Sequence, residues 1–197
     1  MKDHYSLLAP YYNRLSNLAF GDQLMWSKTC FLENLGAKKT LIIGGGAGLD
    51  YLPFQKNLTG EYWEISYAML SQAKRNLSES KLTFHLGLFQ AEKGEIFDEV
   101  WLPFVLDTMR DEEIISLLRE IRQSVKPEAR IYLADFFEPK QKYQRLLTWG
   151  MIAVFKLLTQ HKRANIPDYE EILRSENWTK TSEKEFMNGW VKAQLWV

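Results

Sequence analysis

Two rhythms of hydrophobic and polar positions run through this chain. Short apolar runs of strand length recur at Thr40–Gly44 (TLIIG), Glu61–Ile65 (EYWEI), Leu82–Leu86 (LTFHL), Phe97–Phe104 (FDEVWLPF) and Ala129–Phe137 (ARIYLADFF). Each reads as a buried strand. Longer stretches between them carry helical spacing. From Ser66 to Leu77, residues Ala68, Met69, Leu70, Ala73 and Leu77 can share one face. From Asp111 to Val125, three leading acids favour a helix N-terminus, and Ile114, Ile115, Leu117, Leu118, Ile121 and Val125 form the apolar side. Lys126-Pro127 is expected to stop that helix. Strands alternating with helices predict a parallel sheet with right-handed crossovers.

The flanks follow other patterns. Residues 1–35 have helical spacing and many aromatics, among them Tyr5, Tyr11, Tyr12, Phe20, Trp26 and Phe31. An amphipathic helix is predicted from Lys140 to Leu158, then a polar loop, TQHKRANIPDYEE. The final stretch, TKTSEKEFMNGWVKAQLWV, has β-prone runs on both sides of Asn188-Gly189. Asn-Gly between such runs is the strongest short-range hairpin signal. No repeat or low-complexity segment interrupts the chain. A single domain is expected over 1–197: a helical lid over 1–35, a ligand-binding core over 38–137, and a helix plus closing hairpin over 138–197.

Four glycines follow the first strand run, in GGGAG from Gly44 to Gly48. A strand that enters a glycine-rich turn and then a helix suits nucleotide-like ligands, because backbone N–H groups approach the ligand closely. Spacing separates the known uses. A phosphate-cradling loop needs Gly-Lys-Ser/Thr at its end, and no lysine follows before Lys56. The dinucleotide fingerprint needs a small residue at the sixth place. Counting from Gly44 that place holds Leu49, and from Gly46 it holds Tyr51. An oxidoreductase reading therefore falls away, leaving Gly44, Gly46 and Gly48 at G-x-G-x-G spacing. Glu64 ends the second strand run, where an acid accepts hydrogen bonds from ribose hydroxyls. Capping the helix from Ser66 is its other reading, although Ser66 is itself a good cap.

Composition excludes several classes. Twenty-five basic residues balance twenty-five acidic ones, so no charge excess points to nucleic acid. Cys30 is the single cysteine, which rules out an internal disulfide and a cysteine metal site; no metal is expected. The longest apolar-rich run, Leu146 to Leu158, is too short to cross a bilayer. The first residues lack a signal-type apolar run. A cytoplasmic protein without integral membrane association is expected.

The motifs in order resemble those of class I S-adenosylmethionine-dependent methyltransferases, of the small-molecule, ubiquinone/menaquinone-biosynthesis-like type. TLIIGGGAG resembles the family's first motif, WEISYAML (Trp63–Leu70) its second, and FDEVWLPFVLD its fourth strand. LLREIRQSVKPEARIYLADFF (Leu117–Phe137) resembles the helix, Lys-Pro turn and fifth strand. The resemblance implies an α/β, Rossmann-like, doubly wound and mostly parallel seven-stranded sheet with a C-terminal antiparallel hairpin strand. It implies S-adenosylmethionine as cofactor, S-adenosylhomocysteine as product and a small-molecule methyl acceptor. It assigns Gly44, Gly46 and Gly48 to the methionine and ribose, Glu64 to the ribose hydroxyls, and Ile65 and Met69 to the adenine. Leu102 is assigned to the methionine portion, and Tyr12 to closure over the cofactor.

Two positions depart from the family pattern. Ile42 stands where an acid two places before the first glycine helps hold the cofactor's amino group. Leu88 stands where the third motif's Asp reaches the adenine amine. Each lost charged hydrogen bond weakens binding by roughly 1.5–3 kcal/mol unless replaced; a neighbouring acid such as Asp50 is a replacement for the first, and a backbone carbonyl or Gln90 for the second. Methyl transfer needs mainly proximity and line-up, and a base only where the acceptor loses a proton. Asp107, Asp135 and the loop residue His161 are candidates for that base, with no one of them singled out; His85 reads as packed core. The helix bearing Trp149, Met151 and Phe155 reads either as core or homodimer face, or as cover for an apolar acceptor. The alternative to an enzyme is a degenerate copy of the fold that binds a ligand or partner without activity.

Overall fold

The computed structural model of the chain describes residues 20–32, 38–91, 94, 96–148, 150 and 165–197. The expectations for Tyr5, Tyr11, Tyr12, Trp149, Met151, Phe155 and His161 lie outside these residues. Seven strands form one sheet: β1 (Lys39–Ile43), β2 (Thr59–Glu64), β3 (Lys81–Leu86), β4 (Phe97–Pro103), β5 (Val125–Phe136), β6 (Lys180–Phe186) and β7 (Val191–Trp196). Their spatial order is β3-β2-β1-β4-β5-β7-β6. The first five run parallel, and β7 pairs antiparallel with β5 and with β6. Strand order reverses between β1 and β4. In open α/β sheets ligands bind at such a switch point, outside the carboxyl ends of the strands.

Alternation along the strands explains two cores. Leu41, Ile43, Val100, Leu102, Ile131 and Leu133 point to one face. There they meet α3 (Asp111–Gln123) and α4 (Tyr169–Ser175). Ile42, Tyr62 and Trp101 point to the other face, where they meet Tyr51, Leu58 and residues of α2 (Tyr67–Asn76). α3 buries Ile114, Leu117, Leu118 and Ile121 on one stripe, each contributing about 2 kcal/mol. Its first turn holds Asp111, Glu112 and Glu113, and Glu113 accepts from the backbone N–H of Arg110 at 2.8 Å. α1 (Gln23–Thr29) packs against β5, β6 and β7.

Two elements differ from the sequence expectation. The segment after the glycines, Leu49–Asn57, is a 3₁₀-helix with Pro53 inside it; proline supplies no N–H for an α-helical ladder. α3 stops at Gln123, and β5 begins at Val125, so Lys126-Pro127 belongs to a strand. Pairing jumps there from Phe97↔Val125 to Glu99↔Arg130. The proline sits in this irregular stretch, where no ladder bond is demanded of it. The hairpin turn at the chain end contains Met187 and Asn188, both with left-handed φ, of 50° and 56°. Residues 142–148 are helical, and the buried Gln144 ties them to that turn: its Nε2 donates to the Met187 carbonyl at 2.8 Å, while its Oε1 accepts from Lys140 and Gln141 N–H groups at 3.0 Å.

Candidate functional site

The glycine loop leaves β1 at the switch point. Gly44 donates its N–H to the Trp63 carbonyl at 2.8 Å, which ties the loop to the end of β2. A Cβ at Gly44 would meet the Val105 side chain at 2.7 Å, so glycine lets the ends of β1 and β4 approach. Gly46 has φ +64°, with no atom within 4 Å of where its Cβ would stand. Its backbone therefore faces open space in a conformation that side chains disfavour.

Glu64 organises the loop. Its Oε2 accepts from Gly46 N–H at 3.0 Å, and its Oε1 accepts from Ser66 N–H at 2.9 Å. Ser66 caps α2, its Oγ accepting from Met69 N–H at 3.4 Å. Glu64 thus supports the entry to α2, while Ser66 provides the cap. Glu64 is 7% exposed. Two further side chains hold the loop from outside its own sequence. The Tyr62 hydroxyl donates to the Gly46 carbonyl at 3.0 Å, and Asn76 Nδ2 donates to the Ala47 carbonyl at 2.8 Å. Burial, then the charges of neighbours that include Glu64 and Asp50, pushes the Tyr62 hydroxyl well above its ordinary pKa, so it stays a donor. Sequence reasoning missed both residues, because neither stands at a motif position.

The carboxyl end of β4 forms the other wall. Phe104 has φ +52°, an uncommon and strained conformation for a bulky residue, of the kind that collects at functional sites. Its N–H donates to the Ala134 carbonyl at 2.7 Å. Its ring meets Phe136 at 5.1 Å in an edge contact, and Phe136 packs with Phe20 and Trp190 at 5.6 and 5.3 Å. An aromatic cluster thus gathers at the carboxyl ends of β4 and β5. Sequence alone gave no signal for Phe104, since its φ depends on how β1 and β4 meet.

No family model and no curated protein matches the chain. Solved structures match it closely in fold. The mitomycin 7-O-methyltransferase MmcR matches with a TM-score of 0.68 at 17% identity, over 98% of this chain and 59% of that one. DhpI in its complex with SAH matches with a TM-score of 0.69 at 15% identity, over 98% of this chain and 92% of that one. A chain of the complex between the Haloferax volcanii Trm112 methyltransferase activator and a methyltransferase matches with a TM-score of 0.73 at 14% identity, over 100% and 98%. The chain thus spans 59% of the length of MmcR but nearly all of the other two. The fold is that of the class I methyltransferases.

Within the methyltransferase fold, the expected residues separate into groups. Gly44, Gly46, Gly48, Glu64, Ile65 and Met69 come together around the ends of β1 and β2. Met69 is buried against Ala47 of the loop, whereas Ile65 is 40% exposed. Leu102 is fully buried in the core with Leu41 and Leu133, so its side chain lies away from the loop surface, and Phe104 stands at the strand end instead. Ile42 is also fully buried, in the cluster with Tyr51, Tyr62 and Trp101. Asp50 is engaged with Lys28, 2.7 Å away. Leu88 is 69% exposed.

Asp107, in the turn just past β4, is half-buried. Asp135 is wholly buried. Its Oδ1 accepts from Phe136 N–H at 2.8 Å, and its Oδ2 accepts from Leu106 and Asp107 N–H groups at 3.2 and 3.4 Å. Burial, then the nearby Asp107 carboxylate, pushes its pKa well above the usual carboxylate range. That arrangement fixes the turn after β4 rather than presenting a base. His85 stacks on Trp63 with ring centroids 4.3 Å apart, its Nε2 3.7 Å from the Glu61 carboxylate. Among the described residues no acid–histidine–cysteine group suits a metal ion, and no helix is long and apolar enough to cross a membrane.

Proposed function

We propose that the chain is an S-adenosylmethionine-dependent methyltransferase that acts in the cytoplasm on a small, apolar molecule. The observation that carries this reading is the Glu64 carboxylate, which grips the Gly46 and Ser66 N–H groups at the carboxyl end of β2, beside the switch point. The residues present fit such a cofactor. The backbone at Gly46 is open, and Glu64 suits the hydroxyls of a ribose. When bound, the cofactor supplies a methyl group on a sulfonium, which transfers to a lone pair of the acceptor while the sulfur keeps the bonding electrons.

The chain's own residues hold and orient. Gly44, Gly46 and Gly48 let the backbone follow the methionine part, Glu64 fixes the sugar, and Ile65 with Met69 borders the base. Phe104 and its aromatic neighbours border the acceptor side and favour an apolar partner. The fold's neighbours include the mitomycin 7-O-methyltransferase MmcR and CalO1, a methyltransferase in calicheamicin biosynthesis, which agrees with a small acceptor.

Calorimetric titration with S-adenosylhomocysteine tests the reading. Micromolar binding is expected, with Glu64→Ala and Glu64→Gln each weakening it by about tenfold or more. Absence of binding to the folded chain would overturn it. Ile42 and Leu88, which replace two acids, favour one second reading, a ligand-binding or interaction module without activity. Under it, neither cofactor nor product raises the melting temperature.

A further inference from the structure

The glycine loop is held from two sides. Glu64, Tyr62 and Asn76 grip Gly46 and Ala47 from β2 and α2. The second hold lies where the loop ends. Gly48 opens the 3₁₀-helix Leu49–Asn57, whose first turn carries Asp50. The Asp50 carboxylate lies 2.7 Å from the ammonium of Lys28 in α1, with both side chains half-buried. The same ammonium stands 5.5 Å from the centroid of the Phe104 ring, within the range of a cation–π attraction. One charge thus touches both the exit of the glycine loop and the strained residue just past β4.

α1 gives that charge a firm base. Leu24 is buried with Phe136 and Trp190. Just past α1, the Cys30 carbonyl accepts from Lys184 of β6 at 2.8 Å, and the Lys184 ammonium lies 5.0 Å from the centroid of the Phe31 ring. α1 is therefore fixed to β5, β6 and β7, and Lys28 reaches from it to Asp50. The loop between the two holds has little preference of its own. Gly44, Gly46 and Gly48 have φ of +72°, +64° and +71°, and glycine moves freely through this region. The anchors at its two sides set its shape, and a half-buried ion pair is screened less than an exposed one.

Resting on the cofactor reading above, we propose that Lys28 is a positioning residue: through Asp50 it fixes the exit of the glycine loop, and so couples α1 to cofactor binding. Lys28 itself touches no part of the cofactor. The coupling runs both ways. If a fixed α1 favours the loop shape that binds, then binding steadies α1 by the same factor.

Calorimetric titration of the intact chain with S-adenosylhomocysteine reads one direction. Lys28→Met keeps the length and removes the charge; it is expected to weaken binding about fivefold, as is Asp50→Asn. The double variant is expected to bind no more weakly than either single one, because both remove the same pair. Lys28→Arg is expected to stay within about twofold of the wild type. Hydrogen exchange reads the other direction. The Trp26 and Cys30 N–H groups donate to the Asp22 and Trp26 carbonyls at 2.9 Å. On binding of S-adenosylhomocysteine they are expected to exchange about fivefold more slowly in the wild type and in Lys28→Arg, and at an unchanged rate in Lys28→Met. If Lys28 served folding alone, Lys28→Met would lower the melting temperature and leave both readouts as in the wild type. That result would overturn the proposal and leave the cofactor site standing. Additive losses in the double variant would overturn the action of Lys28 through Asp50. Absence of binding to the wild type would overturn the proposal and the cofactor reading together.

Discussion

The Tyr62 hydroxyl donates to the carbonyl oxygen of Gly46 at 3.0 Å, from beneath the loop whose N–H at the same residue is held by Glu64. One peptide position is thus gripped at both its donor and its acceptor by side chains of a single strand. Tyr62→Phe keeps the ring and removes the acceptor's partner. Stability is expected to fall by about 1 kcal/mol in urea denaturation. S-adenosylhomocysteine binding is expected to weaken severalfold, because the loop then samples other shapes.

Phe104 makes a prediction that reverses the usual order of substitutions. Its φ of +52° disfavours any residue with a Cβ. Phe104→Gly is therefore expected to be more stable than Phe104→Ala, by about 1 kcal/mol, although both lose the ring contact with Phe136. Thermal denaturation of the two variants gives the order. Both are expected to lower methyl transfer while leaving S-adenosylhomocysteine affinity within about twofold.

Asp135 is expected to tolerate no loss of its oxygens. Asp135→Ala strips acceptors from the N–H groups of Leu106, Asp107 and Phe136. A loss of about 3 kcal/mol or more follows, since buried donors without partners each cost about 1–3 kcal/mol. A chemical denaturation curve measures it. A loss under about 1 kcal/mol would mean that the turn after β4 finds other acceptors.

Acid stability depends on the hairpin. Burial pushes the Glu183 carboxyl up, but bonds from Lys180, Lys192 and Gln194 outweigh this and bring it down from 4.5 to about 2. The folded state thus binds the proton less readily than the unfolded chain. Its stabilising contribution is complete above about pH 4.5 and is lost as pH falls toward about 2. In a series of denaturation curves between those values, Glu183→Gln is expected to show a shallower decline than the wild type.

The sheet, the hairpin and the position of Glu64 were legible because each rests on local pattern: short apolar runs in TLIIG and LTFHL, the Asn-Gly turn, and an acid closing a strand. What stayed hidden depends on distant parts meeting. Tyr62 and Asn76 act on the loop only because β2 and α2 pack beside it. Phe104 takes its conformation where two strands converge. Lys126-Pro127 is a local stop signal, and tertiary pairing places it in a strand irregularity instead. Leu102, at a motif position, has its side chain turned into the core by the strand's alternation.

Gln144 has a mechanical consequence. Its amide clamps the first helical turn after β5 to the Met187 carbonyl, at the far end of the antiparallel pair. The root of that helix is therefore anchored to the sheet, like a lever with a fixed fulcrum. Force on the turn at 142–148 therefore bears on the β6–β7 turn rather than on the glycine loop.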